Sequence, residues 1–133
     1  MNTPPVLMPD AVAVITAYLR ERLAAHGTPV PVASHVPNPR PARFVRVERI
    51  GGAATSPVTD RPRLDIEAWG ADEGDAHDLV QLCRAVLGAA RGRYQATTLA
   101  RPATGGPQWL PDKESGQPRY VFTFDVTLRG TAL

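Results

Sequence analysis

The fold class this sequence predicts is α+β, with a largely antiparallel or mixed sheet of four to five strands and two helices packed on one face. Two apolar stripes recurring at three- and four-residue spacing mark amphipathic helices. Runs in which apolar and polar residues alternate, above all Tyr120 to Arg129, mark strands with one buried face. The order helix, strand, strand, strand, helix, strand, strand groups the strands instead of interleaving them with helices. That grouping favours helices gathered on one side of a sheet.

The chain has 133 residues and a mass of 14.3 kDa. It is read as one domain, residues 1–133, able to bury roughly two-thirds of its unfolded surface. Its single cysteine, Cys83, excludes an intramolecular disulfide framework and a multi-cysteine metal site. No apolar run approaches the roughly 20 residues that span a bilayer, so no membrane is expected. Met1 to Pro5 lacks the basic and apolar regions of a signal peptide, and a cytoplasmic location is expected. The net charge is +2 and Lys113 is the sole lysine. The arginines are spread along the chain, without the concentrated stripe of a nucleic-acid binder.

Taken in order, Asp10 supplies an N-cap, and Val12, Ile15, Leu19 and Leu23 supply the stripe of a helix from Asp10 to His26. Gly27 sits where a left-handed residue ends a helix, and Pro29 bars its continuation. Val30 to Val36 reads as a strand that Pro31 restricts to a short piece or an edge. His35 on it has no partner at metal-site spacing. Pro37 to Pro41 makes a stiff extended connection.

Phe44 to Ile50 alternates, with Val45 and Val47 on one face and Phe44, Arg46, Glu48 and Ile50 on the other. Gly51 and Gly52 read as a break, and the polar segment to Pro62 as a long loop that orders against a partner. The strand Arg63 to Trp69 then turns Leu64, Ile66 and Ala68 inward and Asp65, Glu67 and Trp69 outward. Two carboxylates at i and i+2 on one face have two readings. They suit a divalent metal or an acid/base pair, or they form a charged face paired with Arg46 or Arg49 of the neighbouring strand.

Asp72 and Glu73 open the second helix, whose stripe is Leu79, Leu82, Cys83, Val86, Leu87 and Ala90, with Gly92 as its stop. Cys83 within that stripe is a buried hydrophobe rather than a nucleophile. His77 and Asp78 lack a nucleophile at matching position, so no triad is read. A short strand around Tyr94 to Ala100 follows, then a second long loop from Arg101 to Pro118. Its glycines do not form a phosphate loop. Trp109 and Leu110 within it either fold back onto the core or meet another subunit. The last strand, Arg119 to Arg129, is long and regular enough to be central, with Tyr120, Phe122, Phe124, Val126 and Leu128 facing the helices.

Several stretches together resemble a known family. They are the N-terminal amphipathic helix, Arg40-Pro-Ala-Arg-Phe-Val-Arg-Val followed by Gly51-Gly52, and Arg61-Pro-Arg-Leu-Asp-Ile-Glu-Ala-Trp69. An Ala-rich second helix, Gly106-Pro107 and Gly116-Gln-Pro-Arg-Tyr complete the pattern. The chain resembles the tail terminator proteins of long-tailed bacteriophages, which are related to head-to-tail joining and tail completion proteins. The resemblance implies a non-enzymatic virion protein of the tail or neck, assembled in the host cytoplasm, without cofactor or metal. Such proteins form hexameric rings that cap the tail tube, stop its polymerisation and offer a surface for head-tail joining.

The partners so implied are further copies of the chain, the tail tube protein and head-tail connector proteins, with DNA passing through the ring without sequence-specific binding. A ring needs two complementary edges on each subunit. The expected contacts lie in the two long loops and the adjoining strand, at Gly51, Gly52, Arg61, Arg63, Asp65, Glu67, Trp109 and Leu110. Three alternatives remain: a capsid-side connector or head completion protein, a small metal-dependent enzyme using Asp65, Glu67 and a histidine such as His35, and an adaptor that binds a protein partner through Trp109 and its loop.

Overall fold

A computed structural model describes residues 4–133 of the chain. The reading of Met1 to Pro5 as lacking a leader falls partly on residues 1–3, outside the described residues. The elements are β1 (Val6–Leu7), α1 (Ala11–Ala25), β2 (Val32–Ala33), β3 (Phe44–Ser56), β4 (Thr59–Trp69) and α2 (Glu73–Gly88). They continue as β5 (Gly92–Tyr94), β6 (Thr97–Thr104), β7 (Gln108–Trp109), β8 (Arg119–Arg129) and β9 (Thr131–Ala132).

The main sheet is mixed and has seven strands, ordered β2-β3-β4-β8-β6-β5, with β7 also paired to β8. It is therefore larger than the four to five strands expected. Short strands account for the difference: β2, β5 and β7 have too few residues for alternation to show. Only β2 runs parallel to its neighbour. β8 is central, flanked by β4 on one side and by β6 and β7 in succession on the other. The terminal β1 and β9 form a separate two-stranded pair.

Both helices begin as their sequences dictate. The Asp10 carboxylate accepts the Ala13 N–H at 3.1 Å. Asp72 accepts the Asp75 N–H at 2.8 Å, and Asp75 accepts the Ala71 N–H at 3.0 Å, a reciprocal cap. Gly27 closes α1 with φ +82°. α2 ends earlier than Gly92, at a C-cap of Ala89, and Gly92 opens β5 instead.

One core lies between the helices and the sheet. Ile15, Leu19 and Leu23 of α1 and Leu79, Cys83 and Leu87 of α2 are fully buried against Val45, Val47, Leu64, Ile66, Phe122, Phe124, Val126 and Leu128. Each large apolar side chain removed from water contributes about 1.5–3 kcal/mol before conformational entropy is counted. Burial pushes the Cys83 thiol up to about 12, so it packs as a small hydrophobe.

The first expected loop is largely strand, and the second is strand in part. β3 and β4 continue through Gly51–Pro62 as a hairpin joined by Pro57 and Val58, with Ser56 opposite Thr59. Thr59 Oγ1 lies 2.9 Å from Thr55 Oγ1 and 2.6 Å from Ser56 Oγ, pinning the turn. What reads as a break at Gly51-Gly52 is a β-bulge, where the register shifts between Arg49 and Gly51. Gly52 has φ +86°, and a Cβ on it would overlap the Arg61 carbonyl and stand 2.7 Å from Pro62 Cα.

The short strand expected from Tyr94 to Ala100 is split by a turn into β5 and β6, and strand also enters the second expected loop, Arg101 to Pro118. β6 runs on to Thr104, and β7 pairs with β8, leaving Gly105–Pro107 and Leu110–Pro118 as the irregular remainder.

Candidate assembly surfaces

Alternation along β4 turns Asp60, Pro62, Leu64, Ile66 and Ala68 toward the helices and Arg61, Arg63, Asp65, Glu67 and Trp69 to the opposite face. Asp60 is buried on the helix side and is held by Arg49, whose Nη1 donates to it at 3.0 Å. Arg49 also donates to the carbonyls of Gly51 and Gly52, so one guanidinium stitches the bulge to the neighbouring strand.

On the opposite face, Glu67 is only 6% exposed. It accepts from Arg46 Nη1 at 2.9 Å and from Trp69 Nε1 at 3.3 Å, and Arg119 Nη1 stands 3.7 Å away. The Trp69 ring stacks on Phe44 at 4.9 Å and lies beneath the guanidinium groups of Arg40 and Arg119 at 5.3 and 5.0 Å. Glu67 is thus an ion-pair hub, committed to two arginines and an indole.

Asp65 is half-buried and lies in register with Glu48. Burial, then the Glu48 charge, raises its pKa, while Arg119 and Arg46 act in the lowering direction. Among the described residues no cluster of three His, Cys, Asp or Glu side chains has metal-holding geometry. His35 is exposed just beyond β2. The donor set needed for a metal-dependent enzyme is not brought together, because Glu67 faces cations and no third ligand joins Asp65.

Arg61 and Arg63 are both hydrogen-bonded within the chain, and the Arg63 side chain stays 57% exposed. Arg63 Nε donates to Asp125 at 3.0 Å. Arg61 Nη1 donates to the Arg101 carbonyl and to Thr127 Oγ1, both at 3.0 Å. Arg101 has φ +54° and sits where β6 changes register against β8, the irregularity that carries the carbonyl Arg61 binds. Both arginines tie the hairpin to the sheet.

What remains open is backbone. β2 pairs with β3 only at Val45 and Arg46. The outer edge of β3 beyond them has no strand beside it among the described residues. Glu48–Thr55 is exposed throughout. Such an edge is a template for pairing with another chain. Glu48, Arg49 and the bulge blunt its base, while Ala53, Ala54 and Thr55 carry neither charge nor bulk. Gly51 and Gly52 lie in this arm and help line a shallow hollow of about 440 Å3 with Arg61, Arg63 and Asp125.

At the other end of the sheet, Trp109 and Leu110 are each 43% exposed. β7 holds Trp109 opposite Tyr120, with ring centroids 5.1 Å apart. Leu110 exchanges bonds with Arg119: its N–H donates to the Arg119 carbonyl at 3.0 Å, and its carbonyl accepts from Arg119 Nε at 2.8 Å. The loop beyond is fixed by Asp112, which accepts from Ser115 N and Oγ at 3.0 and 2.6 Å. The Ser115 bonds hold the Asp112 carboxyl below the usual carboxylate range. Gln117 Nε2 donates to the Ala42 carbonyl at 3.0 Å, closing the loop over the segment that leads into β3.

A sheet face consumed by ion pairs, a free strand edge and apolar side chains held out at loop ends fit a structural protein that works by contact with other chains. Comparison of sequences agrees. The sequence model of the family described as phage tail termination protein matches residues 7–115, and the chain belongs to that family. A search of curated proteins finds no match. The match runs from β1 into the loop before β8, so it takes in the hairpin, both helices and Trp109. A phage tail terminator is a structural component of the virion tail. No helix of the described residues is long and apolar enough to cross a membrane.

Proposed function

We propose that this protein forms a ring, a hexamer, that caps the completed tail tube, stops its polymerisation and presents the surface on which the head joins the tail. Membership of the phage tail termination family, over 109 of the chain's residues counted from 7 to 115, is the observation that carries this reading. The exposed arm of the β3–β4 hairpin is consistent with it, since a closing ring needs two different complementary surfaces on each subunit. Its partners are then copies of itself, the tail tube protein and the head-tail connector, with DNA passing through without sequence-specific contact. Assembly takes place in the host cytoplasm before the virion is complete.

The test is tube length. Added to polymerising tail tube protein, the chain is expected to cap growing tubes and shorten their length distribution in negative stain. Tubes that grow to the same length with or without it, and carry no density at their ends, would refute the proposal. Density at the capsid side of the neck instead would assign it to the connector.

A further inference from the structure

A hollow of about 570 Å3 lies between α1 and α2. Its floor is apolar, from Tyr18, Leu82 and Val86, and its rim carries the cations Arg22 and Arg91 together with His26. The Arg22 guanidinium lies 5.1 Å over the Tyr18 ring. The neighbouring carboxylate, Glu21, accepts from Tyr94 Oη at 2.7 Å, and Tyr94 itself packs edge-on against Tyr18 at 5.2 Å.

The two arginines of this rim form no ion pair among the described residues. Arg40, Arg43, Arg46, Arg49, Arg63 and Arg119 each reach a carboxylate, whereas Arg20, Arg61, Arg84, Arg93, Arg101 and Arg129 join the rim arginines in having no ion pair among the described residues. Among the described residues, none of the ion pairs involves Arg22, His26 or Arg91. Both helices end here, and their C-terminal partial charges oppose an anion. Each amounts to about half a charge, against the full charges of two arginines.

The opposite end of α2 has the complementary character. Glu73 and Asp78 are exposed there. Glu73 accepts from Tyr120 Oη at 3.5 Å, and the Tyr120 ring touches His77 at 5.4 Å and Trp109 at 5.1 Å. Trp109 and Leu110 thus form an apolar knob linked through Tyr120 to Glu73 on one side, with Arg119 bonded to the Leu110 carbonyl on the other. From His77 to Val86 along the helix is about 14 Å at 1.5 Å per residue. The two patches are separate, and a protein bearing both can bind its own copies head to tail, the contact type that closes rings.

We infer that a second copy of this chain seats its Trp109 and Leu110 in the hollow between α1 and α2, with its Glu73 and Asp78 against Arg22 and Arg91. This rests on the ring reading and names the surface that closes the ring. Tryptophan in a pocket bounded by paired charges is the usual makeup of an interface hot spot.

The test uses two charge reversals of the full chain, R22E/R91E and E73K/D78K, with sedimentation velocity and negative stain, free and with tail tubes. Each variant alone is expected to lose self-association. An equimolar mixture is expected to recover it, because each reversed patch then meets a reversed patch of the other variant. W109A is expected to weaken association about tenfold or more.

All four charged positions are exposed, so each variant is expected to keep the parent circular dichroism, and recovery on mixing cannot arise from misfolding. Assembly of the separate variants like the parent, or a mixture that stays monomeric, overturns the inference while leaving the ring intact. A parent chain that never assembles, free or on tubes, overturns both.

Discussion

The two halves of one hairpin behave differently. In the half next to the helices, Phe44–Val47 of β3 and Leu64–Trp69 of β4 contain side chains buried on both faces. In the far half, Gly51–Thr55 is exposed, although it continues the same ladder beyond the bulge. Hydrogen bonding is continuous across the two halves and burial is not. Alternation in a sequence therefore reports where a sheet is covered; where nothing covers it, a strand can carry Gly, Ala, Thr and Ser and read as loop.

The strongest way to break the contrast lies in the buried half. Phe44 is fully buried and stacked on Trp69. Replacing it by Ala is expected to cost about 3–5 kcal/mol in chemical denaturation. The substitution also removes the ring that shields Trp69 and the Glu67 hub.

In the exposed half the sensitive point is the bulge. Gly52→Ala forces a Cβ onto the Arg61 carbonyl at a left-handed φ and is expected to cost about 1–3 kcal/mol. Hydrogen exchange should then show lost protection in Gly51–Arg63 with little change in α1 and α2. A cost near zero would mean that the arm is not bound to the sheet as described.

The smallest effect sharpens the comparison at the open face. Burial and Glu48 raise the Asp65 pKa, so ionisation in the folded state is disfavoured relative to the unfolded chain. The contribution is most favourable when Asp65 is protonated and is lost as pH rises through its raised folded value. Asp65→Asn is therefore expected to stabilise the protein slightly at pH 7, by up to about 0.5 kcal/mol for a partly exposed site. That gain should vanish at low pH in paired denaturation curves.

Much of the fold was legible because packing and periodicity coincide. Asp10, Gly27, the two stripes and the inward set of β8 all stand where spacing places them. Sequence spacing misses the far strand segments because their inward positions include Asp60 and Pro62. These residues carry no apolar signal, and their burial depends on Arg49 from the facing strand.

The same limit applies to the candidate surfaces. Arg61 and Arg63 read as contact residues, and their partners within the chain, Asp125, Thr127 and the Arg101 carbonyl, leave no local signal because they come from distant strands. The cationic hollow joins α1 to α2 across the chain, and no local pattern announces it. Trp109 and Leu110 could be singled out as apolar residues in a turn-rich stretch, and the structure holds both partly exposed.

Whether the chain closes into the proposed ring is read from its mass in solution and on tail tubes by analytical ultracentrifugation. The account predicts a species of six times the 14.3 kDa chain mass, free or at tube ends. A 14.3 kDa monomer at every concentration, with no retention on tubes, would contradict it.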